Sequence, residues 1–199
     1  MRIRLIRHGM TALGAERRYQ GSLDTPLSDI GRKTLRTQDD AARVYHSPLL
    51  RASETAQLLF PGAEKIAVSD LREMDFGAFE GHGWWEMEQD ADYRAWVDGG
   101  CVGRCPGGES RAEFVARSNA ALTSLLVQAS QRGEERVIVV AHGGTIMAAL
   151  SELCDEVPSD GDRYFGWHVG CCEGYKADVY LVGGTVRLSR PARFTRLAP

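Results

Sequence analysis

The sequence predicts an α/β fold of three layers, α/β/α, around a mostly parallel central sheet. Three observations carry this expectation. Short apolar strands alternate with amphipathic helices along the chain, the pattern of a parallel sheet covered on both faces. Arg136-Val137-Ile138-Val139-Val140-Ala141 is an almost wholly apolar run of strand length, as a strand buried on both faces requires. Two strands run into His-Gly, at Ile6-Arg7-His8-Gly9 and at Ala141-His142-Gly143-Gly144. Both histidines then emerge at the carboxyl edge of the sheet, where open α/β sheets bind ligands.

Residues 2–7 read as the first strand. Leu27 to Ala42 reads as a helix opened by Ser28, whose hydroxyl can accept from a free backbone N–H. Arg43-Val44-Tyr45-His46 is a short strand, and Arg51 to Phe60 is a helix stopped by Pro61-Gly62. Residues 65–68 suggest another short strand. The tryptophan-rich stretch 83–97 reads as helical, and the turn-rich segment Gly99 to Gly108 follows it. A long helix is expected over about 110–132. There Ser110 and Glu113 form a capping box, and Phe114, Val115, Leu122, Leu125, Leu126 and Ala129 keep the helical period. Beyond strand 136–141, a helix runs from Thr145 to about Cys154. Gly170 to Arg190 reads as a β-hairpin turning at Gly183-Gly184. One domain over 1–199 is expected, with a lid-like insertion around 78–110.

At 199 residues and 43% hydrophobic, the chain is long enough for one well-buried core. A net charge of −3 without a long Lys/Arg run argues against a nucleic-acid partner. No apolar stretch approaches a bilayer span, and Arg2 and Arg4 begin a strand, not a signal peptide. No membrane partner is expected, and the oligomeric state is left open. The five cysteines, an odd number, read as thiols of a reduced, cytoplasmic protein. Cys101 with Cys105, or His168 with Cys171, could be half of a zinc site. Neither spacing matches a standard ligand set, so no metal is expected.

The chemistry gathers at element ends. Arg7 can hold an oxyanion with a two-pronged fork, and His8 can serve as base, acid or nucleophile. Arg51 falls in the first turn of its helix, a place where a cation is unfavourable unless an anion binds beside it. If the strands before His8 and His142 are neighbours, their backbones lie about 5 Å apart and the histidines flank one site. Two imidazoles and two guanidiniums suit a phosphoryl group. The arginines neutralise its oxygens, one histidine attacks phosphorus, and a carboxylic acid protonates the departing oxygen. Glu73, Asp75, Glu80 and Glu86 all compete for that last role on sequence alone.

A set of motifs in fixed order resembles the histidine phosphatase superfamily, which includes the cofactor-dependent phosphoglycerate mutases. It comprises Arg7-His8-Gly9-x-Thr11, Tyr19-Gln20-Gly21 with Pro26-Leu27-Ser28-x-x-Gly31, and Ser47-x-Leu49-x-Arg51-Ala52-x-x-Thr55-Ala56. Arg72-Glu73-x-x-Phe76-Gly77-x-x-Glu80-Gly81, Pro106-Gly107-Gly108-Glu109-Ser110 and His142-Gly143-Gly144 complete it. The resemblance implies a phosphoglycerate mutase-like fold in which His8 is phosphorylated during turnover. It implies that Arg7, Arg51 and His142 line the phosphate pocket, and that Thr11, Gln20, Gly21 and the backbone around Gly143 finish it. Glu73 would protonate the leaving alcohol and then activate water. No metal or organic cofactor is implied, and the partner would be a small-molecule phosphate ester.

Within the superfamily the chain most resembles the α-ribazole phosphatase branch, which removes the 5′-phosphate of α-ribazole phosphate in cobalamin assembly. The rivals are a broad-specificity sugar or organic phosphate phosphatase, a phosphoglycerate mutase-type phosphotransferase, and a non-catalytic phosphate-ligand binding protein. Met10, Gly14, His82-Gly83 and Met147 depart from the residues that relatives often carry at these places. His46 reads as structural, His82 as either touching substrate or exposed and supporting, and His168 as chemically silent. Arg17 and Arg18 read as solvated surface charge. Trp84, Trp85 and Trp96 read as packing aromatics, with stacking on a flat base such as dimethylbenzimidazole as the sharper alternative.

Overall fold

Six strands form one sheet: β1 (Arg2–Arg7), β2 (Arg43–His46), β3 (Glu64–Ala67), β4 (Arg136–Ala141), β5 (Gly174–Val182) and β6 (Thr185–Phe194). Their order is β3-β2-β4-β1-β5-β6. The pairings that join β3, β2, β4 and β1 are parallel, whereas β5 joins β1 antiparallel and β6 folds back on β5. The computed structural model describes residues 1–38, 41–183 and 185–195. Gly183 supplies a φ of +57° at the hairpin turn, and Gly184 lies outside the described residues. Among these residues the helices are α1 (Ala12–Ala15), α2 (Asp29–Thr34), α3 (Leu50–Leu59), α4 (Ala91–Asp98), α5 (Arg111–Gln131) and α6 (Gly143–Leu153).

The alternation of side chains along β4 shows why the sheet has two covered faces. Val137, Val139 and Ala141 join a cluster with Leu122 and Leu126 of α5 and Ile146 and Leu150 of α6. Ile138 and Val140 point the other way, into a cluster with Ala52, Ala56 and Leu59 of α3. Every second residue thus feeds one layer, and each buried aliphatic side chain contributes about 1.5–3 kcal/mol. The result is the three-layer α/β/α arrangement with a mostly parallel sheet.

Helix α5 begins as its capping box dictates. The Ser110 N–H donates to Glu113 Oε2 at 2.9 Å, and the Glu113 N–H returns to Ser110 Oγ at 3.3 Å. Two expected helices are shorter than their patterns. Ser28 caps α2, but the helix ends at Thr34 and not at Ala42, because Leu35 turns extended (ψ 142°). Leu35 then packs on the α3 cluster while the Gln38 N–H bonds to the Leu59 carbonyl. Docking against α3 overrides local propensity there. The far end of that expected helix includes residues 39–40, outside the described residues. The stretch 83–97 divides into a 3-10 turn, Trp84–Glu86, and α4. Asp90 starts α4 afresh by accepting the Tyr93 N–H at 2.8 Å. Helix α6 begins at Gly143, two residues before the expected start. Within the 78–110 segment, Phe79, Met87, Tyr93, Trp96 and Cys105 share a cluster with Phe114 of α5 and Ala148 of α6.

Candidate active site

β1 and β4 are parallel neighbours with Arg7 opposite Ala141, and the His8 N–H extends the ladder to the Ala141 carbonyl at 2.9 Å. Each strand therefore releases its histidine at the same edge. The two rings meet edge to face, with centroids 5.2 Å apart and planes at 61°. His142 stands at the N-cap of α6 but its side chain caps nothing. Glu73 does so from another part of the chain. Its Oε2 accepts the Gly144 N–H at 2.9 Å, while Oε1 accepts the Met74 N–H at 3.0 Å. A carboxylate at a helix N-terminus meets free N–H groups and the positive end of the dipole.

Above this edge lies a cavity of about 560 Å³. Arg7, His8, Thr11, Gln20, Glu73 and Gly143 contribute its polar part. Tyr19, Phe76, Trp84, Trp96, Tyr164 and Phe165 supply aromatic lining.

The geometry assigns the tautomer of His8. Its Nδ1 lies 2.7 Å from the Gly9 carbonyl oxygen, which can only accept. The proton therefore sits on Nδ1, and Nε2 keeps a lone pair for an electrophile. Burial first, then the charges of Arg51 and Arg7, hold the His8 pKa well below the ordinary histidine value, against the pull of the Gly9 carbonyl. The ring is neutral at neutral pH. Burial acts on Glu73 in the opposite sense and raises its pKa, although the Gly144 and Met74 N–H groups and both arginines favour the carboxylate. One cavity thus holds a neutral base and a carboxyl group that burial makes a weaker acid than an ordinary glutamic acid.

Glu73 is the carboxyl residue that lines this cavity among the described residues; Asp75, Glu80 and Glu86 do not. Glu80 accepts the N–H groups of Gly21, Ser22 and Phe76 at 2.9, 2.7 and 3.0 Å. Asp75 accepts the Gly77 N–H at 2.9 Å, and Glu86 pairs with Arg18 at 2.6 Å. Those three hold loops in place.

The expected residues sit at different depths. Arg51 and His142 are fully buried directly behind the residues that line the cavity, His142 with its ring against that of His8, whereas His8 and Glu73 keep 6% and 8% exposure. Arg51 is held inside by the loop before it, donating to the Leu23 and Gly21 carbonyls at 2.8 Å each. Its charge still reaches both histidines. Gly21 also lies outside the lining: its N–H goes to Glu80, its carbonyl receives Arg51, and a Cβ there would overlap the Met74 carbonyl. Thr11 and Gln20 do line the cavity, joined by a 2.7 Å hydrogen bond from Thr11 Oγ1 to Gln20 Oε1. Arg7 lines it too, with Nη1 anchored on the Val169 carbonyl at 2.6 Å.

The residue beside that anchor, His168, lines the cavity rather than standing apart from it. Nothing in its sequence neighbourhood pointed there; the Arg7–Val169 bond brings it in. Arg111 was also unforeseen. It lines the cavity with its guanidinium 4.4 and 4.8 Å from the ring centres of Tyr164 and Phe165. Arg17 and Arg18 reach the lining as well, as do Gly14 and Met147, two of the departures from the family pattern. His82 stays exposed, 3.6 Å from Glu86. Of the adjacent tryptophans, Trp84 lines the cavity, whereas Trp85 lies outside it with its ring 5.7 Å from the Arg18 guanidinium.

All five cysteines are free. Among the described residues no group of three or more His, Cys, Asp or Glu side chains is placed to hold a metal ion. No helix among them is long and apolar enough to cross a membrane.

Comparison with known proteins gives the family and the fold. The phosphoglycerate mutase-like protein 4 of Arabidopsis thaliana is 34% identical over 155 residues, covering 71% of this chain and 66% of that protein's length. Among solved structures, a mycobacterial glucosyl-3-phosphoglycerate phosphatase complexed with VO3 superposes with a TM-score of 0.79 at 25% identity, over 98% of this chain and 99% of that one. The α-ribazole phosphatase of Shigella flexneri shares the fold, with a TM-score of 0.75 at 22% identity, over 100% of this chain and 99% of that one. The family model for the histidine phosphatase superfamily (branch 1) matches residues 3–177. With its paired strand-end histidines and that match, which runs from β1 into β5, the chain belongs to the histidine phosphatase superfamily.

Proposed function

We propose that the protein is a phosphomonoesterase that works through a phosphohistidine on His8. The observation that carries this reading is the shared cavity of His8 and Glu73. One offers a free Nε2 lone pair, and burial lets the other hold its proton to higher pH than an ordinary glutamic acid. In the first step Nε2 attacks phosphorus, the P–O bond to the alcohol breaks, and Glu73 gives its proton to the departing oxygen. In the second, the Glu73 carboxylate takes a proton from water, the water oxygen attacks phosphorus, and the P–N electrons return to Nε2. Arg7 meets the phosphoryl oxygens from the cavity wall, and the buried Arg51 adds a fixed positive charge. With charge neutralisation supplied by arginine, turnover is expected to persist in EDTA.

For the substrate, the reading is α-ribazole 5′-phosphate. Its support is the motif pattern of Leu71 to Gly81 and Pro106 to Ser110, together with the lining of Tyr19, Phe76, Trp84 and Trp96, which suits a flat aromatic base. A second reading takes a phosphoglycerate-type substrate. It is favoured by Arg17 and Arg111 in the lining, two cations that would meet a second anionic group, and by the names of the Arabidopsis and mycobacterial relatives.

The test has two parts. Wild-type protein treated with a ³²P-labelled phosphate ester is expected to carry acid-labile, base-stable label, and His8→Ala none. Hydrolysis of α-ribazole 5′-phosphate is then compared with phosphoglycerates, sugar phosphates and nucleotides in EDTA. A preference of about a hundredfold in kcat/KM, equivalent to about 2.7 kcal/mol, supports the ribazole reading. A matching preference for phosphoglycerates supports the second, and a flat profile supports a broad-specificity phosphatase. Absence of label and of hydrolysis refutes the phosphohistidine mechanism.

A further inference from the structure

Ser47 follows β2 directly and is completely buried. Its N–H donates to the Val140 carbonyl at 3.0 Å, tying it to the strand that leads into His142. Ser47 Oγ stands 2.7 Å from His142 Nε2, and the Leu49 N–H donates to the same oxygen at 3.3 Å. The other ring nitrogen, Nδ1, is buried without a hydrogen-bond partner. A backbone carbonyl fixes the proton of His8. The proton of His142 is decided by a hydroxyl, which can give or take.

The surroundings narrow the choice. Burial, followed by the charges of Arg51, Arg7 and Arg117, keeps the His142 pKa well below the ordinary value, so the ring is neutral with one N–H and one lone pair. With Nε2 engaged by Ser47, Nδ1 is the nitrogen left for a ligand. A phosphoryl oxygen only accepts hydrogen bonds. A bare Nδ1 would meet it lone pair to lone pair, whereas an Nδ1–H would donate to it. Leu49 already occupies one acceptor site of the Ser47 hydroxyl, which leaves that hydroxyl free to donate.

We propose that Ser47 donates to His142 Nε2 and so fixes the Nδ1–H tautomer, making His142 a hydrogen-bond donor to the transferring phosphoryl group. This rests on the phosphoryl-transfer reading above. Ser47 is then a positioning residue acting through His142, and the run Ser47-x-Leu49-x-Arg51 supplies both a tautomer lock and a fixed charge.

Two-bond ¹H–¹⁵N correlation spectra of histidine-labelled protein test it directly, with His142→Gln assigning the signal. The wild type is expected to show His142 as a single Nδ1–H tautomer. Ser47→Ala is expected to lose that single form and to bind orthovanadate roughly tenfold more weakly, with the His8 signals unchanged. An Nε2–H tautomer in the wild type overturns the proposal, as does an unaltered tautomer or unaltered vanadate affinity in Ser47→Ala. The ³²P experiment keeps the two readings apart. A labelled His8 beside the wrong His142 tautomer refutes the Ser47 role alone, whereas an unlabelled wild type refutes the phosphohistidine.

Discussion

Gly144 occupies the first turn of α6, where alanine is sterically at home in the helix itself. Replacing glycine by alanine in a helix interior gains about 1 kcal/mol and somewhat less near an end. The obstacle is Glu73. A Cβ on Gly144 would overlap Glu73 Oε1 and stand 3.0 Å from Cδ and 3.2 Å from Oε2. The carboxyl group is the far end of a flexible side chain, so in Gly144→Ala it swings aside rather than forcing the backbone to move. It then gives up the 2.9 Å bond from the Gly144 N–H, and loss of such a cap costs about 1 kcal/mol. The two stability effects nearly cancel, and Tm should move by no more than about 4 °C. On the proposed mechanism activity has no such compensation, because a displaced general acid costs about 10²–10⁴ in rate. Turnover of an alkyl phosphate is expected to fall at least about a hundredfold. An activated aryl phosphate, whose leaving group needs little protonation, should fall by less than about tenfold. Parallel kcat/KM measurements on the two esters and a melting curve decide the matter. Equal losses on both esters, wild-type turnover of the alkyl ester, or a collapse in Tm would refute the reasoning.

Related perturbations probe other parts of the site. For an alkyl phosphate, kcat/KM should decline as pH rises through the raised Glu73 pKa, because the acid form is lost; Glu73→Gln should abolish that alkaline limb and lower the plateau by about 10²–10⁴, sparing the aryl ester. The folded-state pKa values of His8 and His142 lie below the unfolded value of about 6.5. The unfolded chain therefore binds more protons between those limits, and their stabilisation is full above about pH 6.5 and declines as pH falls below it, by up to about 1.4 kcal/mol per pH unit for each group. Urea unfolding at pH 7.5 and 5.5 should show a shallower loss in His142→Gln, and equal losses would contradict the burial effect. Trp84→Leu should raise KM for an aromatic phosphate more than for a small ester, while Trp85→Leu, outside the lining, should leave that ratio unchanged. Arg111→Gln should raise KM for a carboxylated phosphate about tenfold with partial recovery in Arg111→Lys; no change in either would remove the second anionic subsite.

How far the sequence speaks depends on how local each determinant is. The strands around His8 and His142 were legible because their apolar runs and terminal glycines are contiguous, and the sheet turns that local pattern into a 5.2 Å approach of the rings. The capping box of α5 was legible for the same reason. The α2 overrun was not, since docking of Leu35 against α3 is a tertiary event. The break at Asp90 left a local signal that the tryptophan pattern masked. Glu73 could not be separated from its neighbouring carboxylates in sequence because its partner, the Gly144 N–H, lies 71 residues away. His168 and Arg111 depend on packing of distant loops against β1 and α5, and no spacing rule encodes that. Arg51 shows a subtler gap: its motif marks a cation at the carboxyl edge of the sheet, but not that the Leu23 and Gly21 carbonyls would draw its fork inward.

The two chemical groups are fixed in contrasting ways, and the contrast explains their division of labour. His8 is oriented by one carbonyl that also sets its proton, while the charges of the buried Arg51 and of Arg7 on the cavity wall reinforce the cost of desolvation and keep it neutral. For Glu73 the influences oppose one another: two backbone N–H groups and the same arginines favour the anion, and burial favours the acid. A group balanced in this way can give a proton in one half-reaction and take one in the next without a large penalty in either state. The arginines also couple the pair. When a phosphoryl dianion enters and offsets the charge of Arg7 and Arg51, one influence holding Glu73 ionised weakens, and its pKa rises further. On the proposed mechanism, substrate binding thereby promotes protonation of the acid that the first step consumes. Release of phosphate removes that bias and restores the empty site's balance.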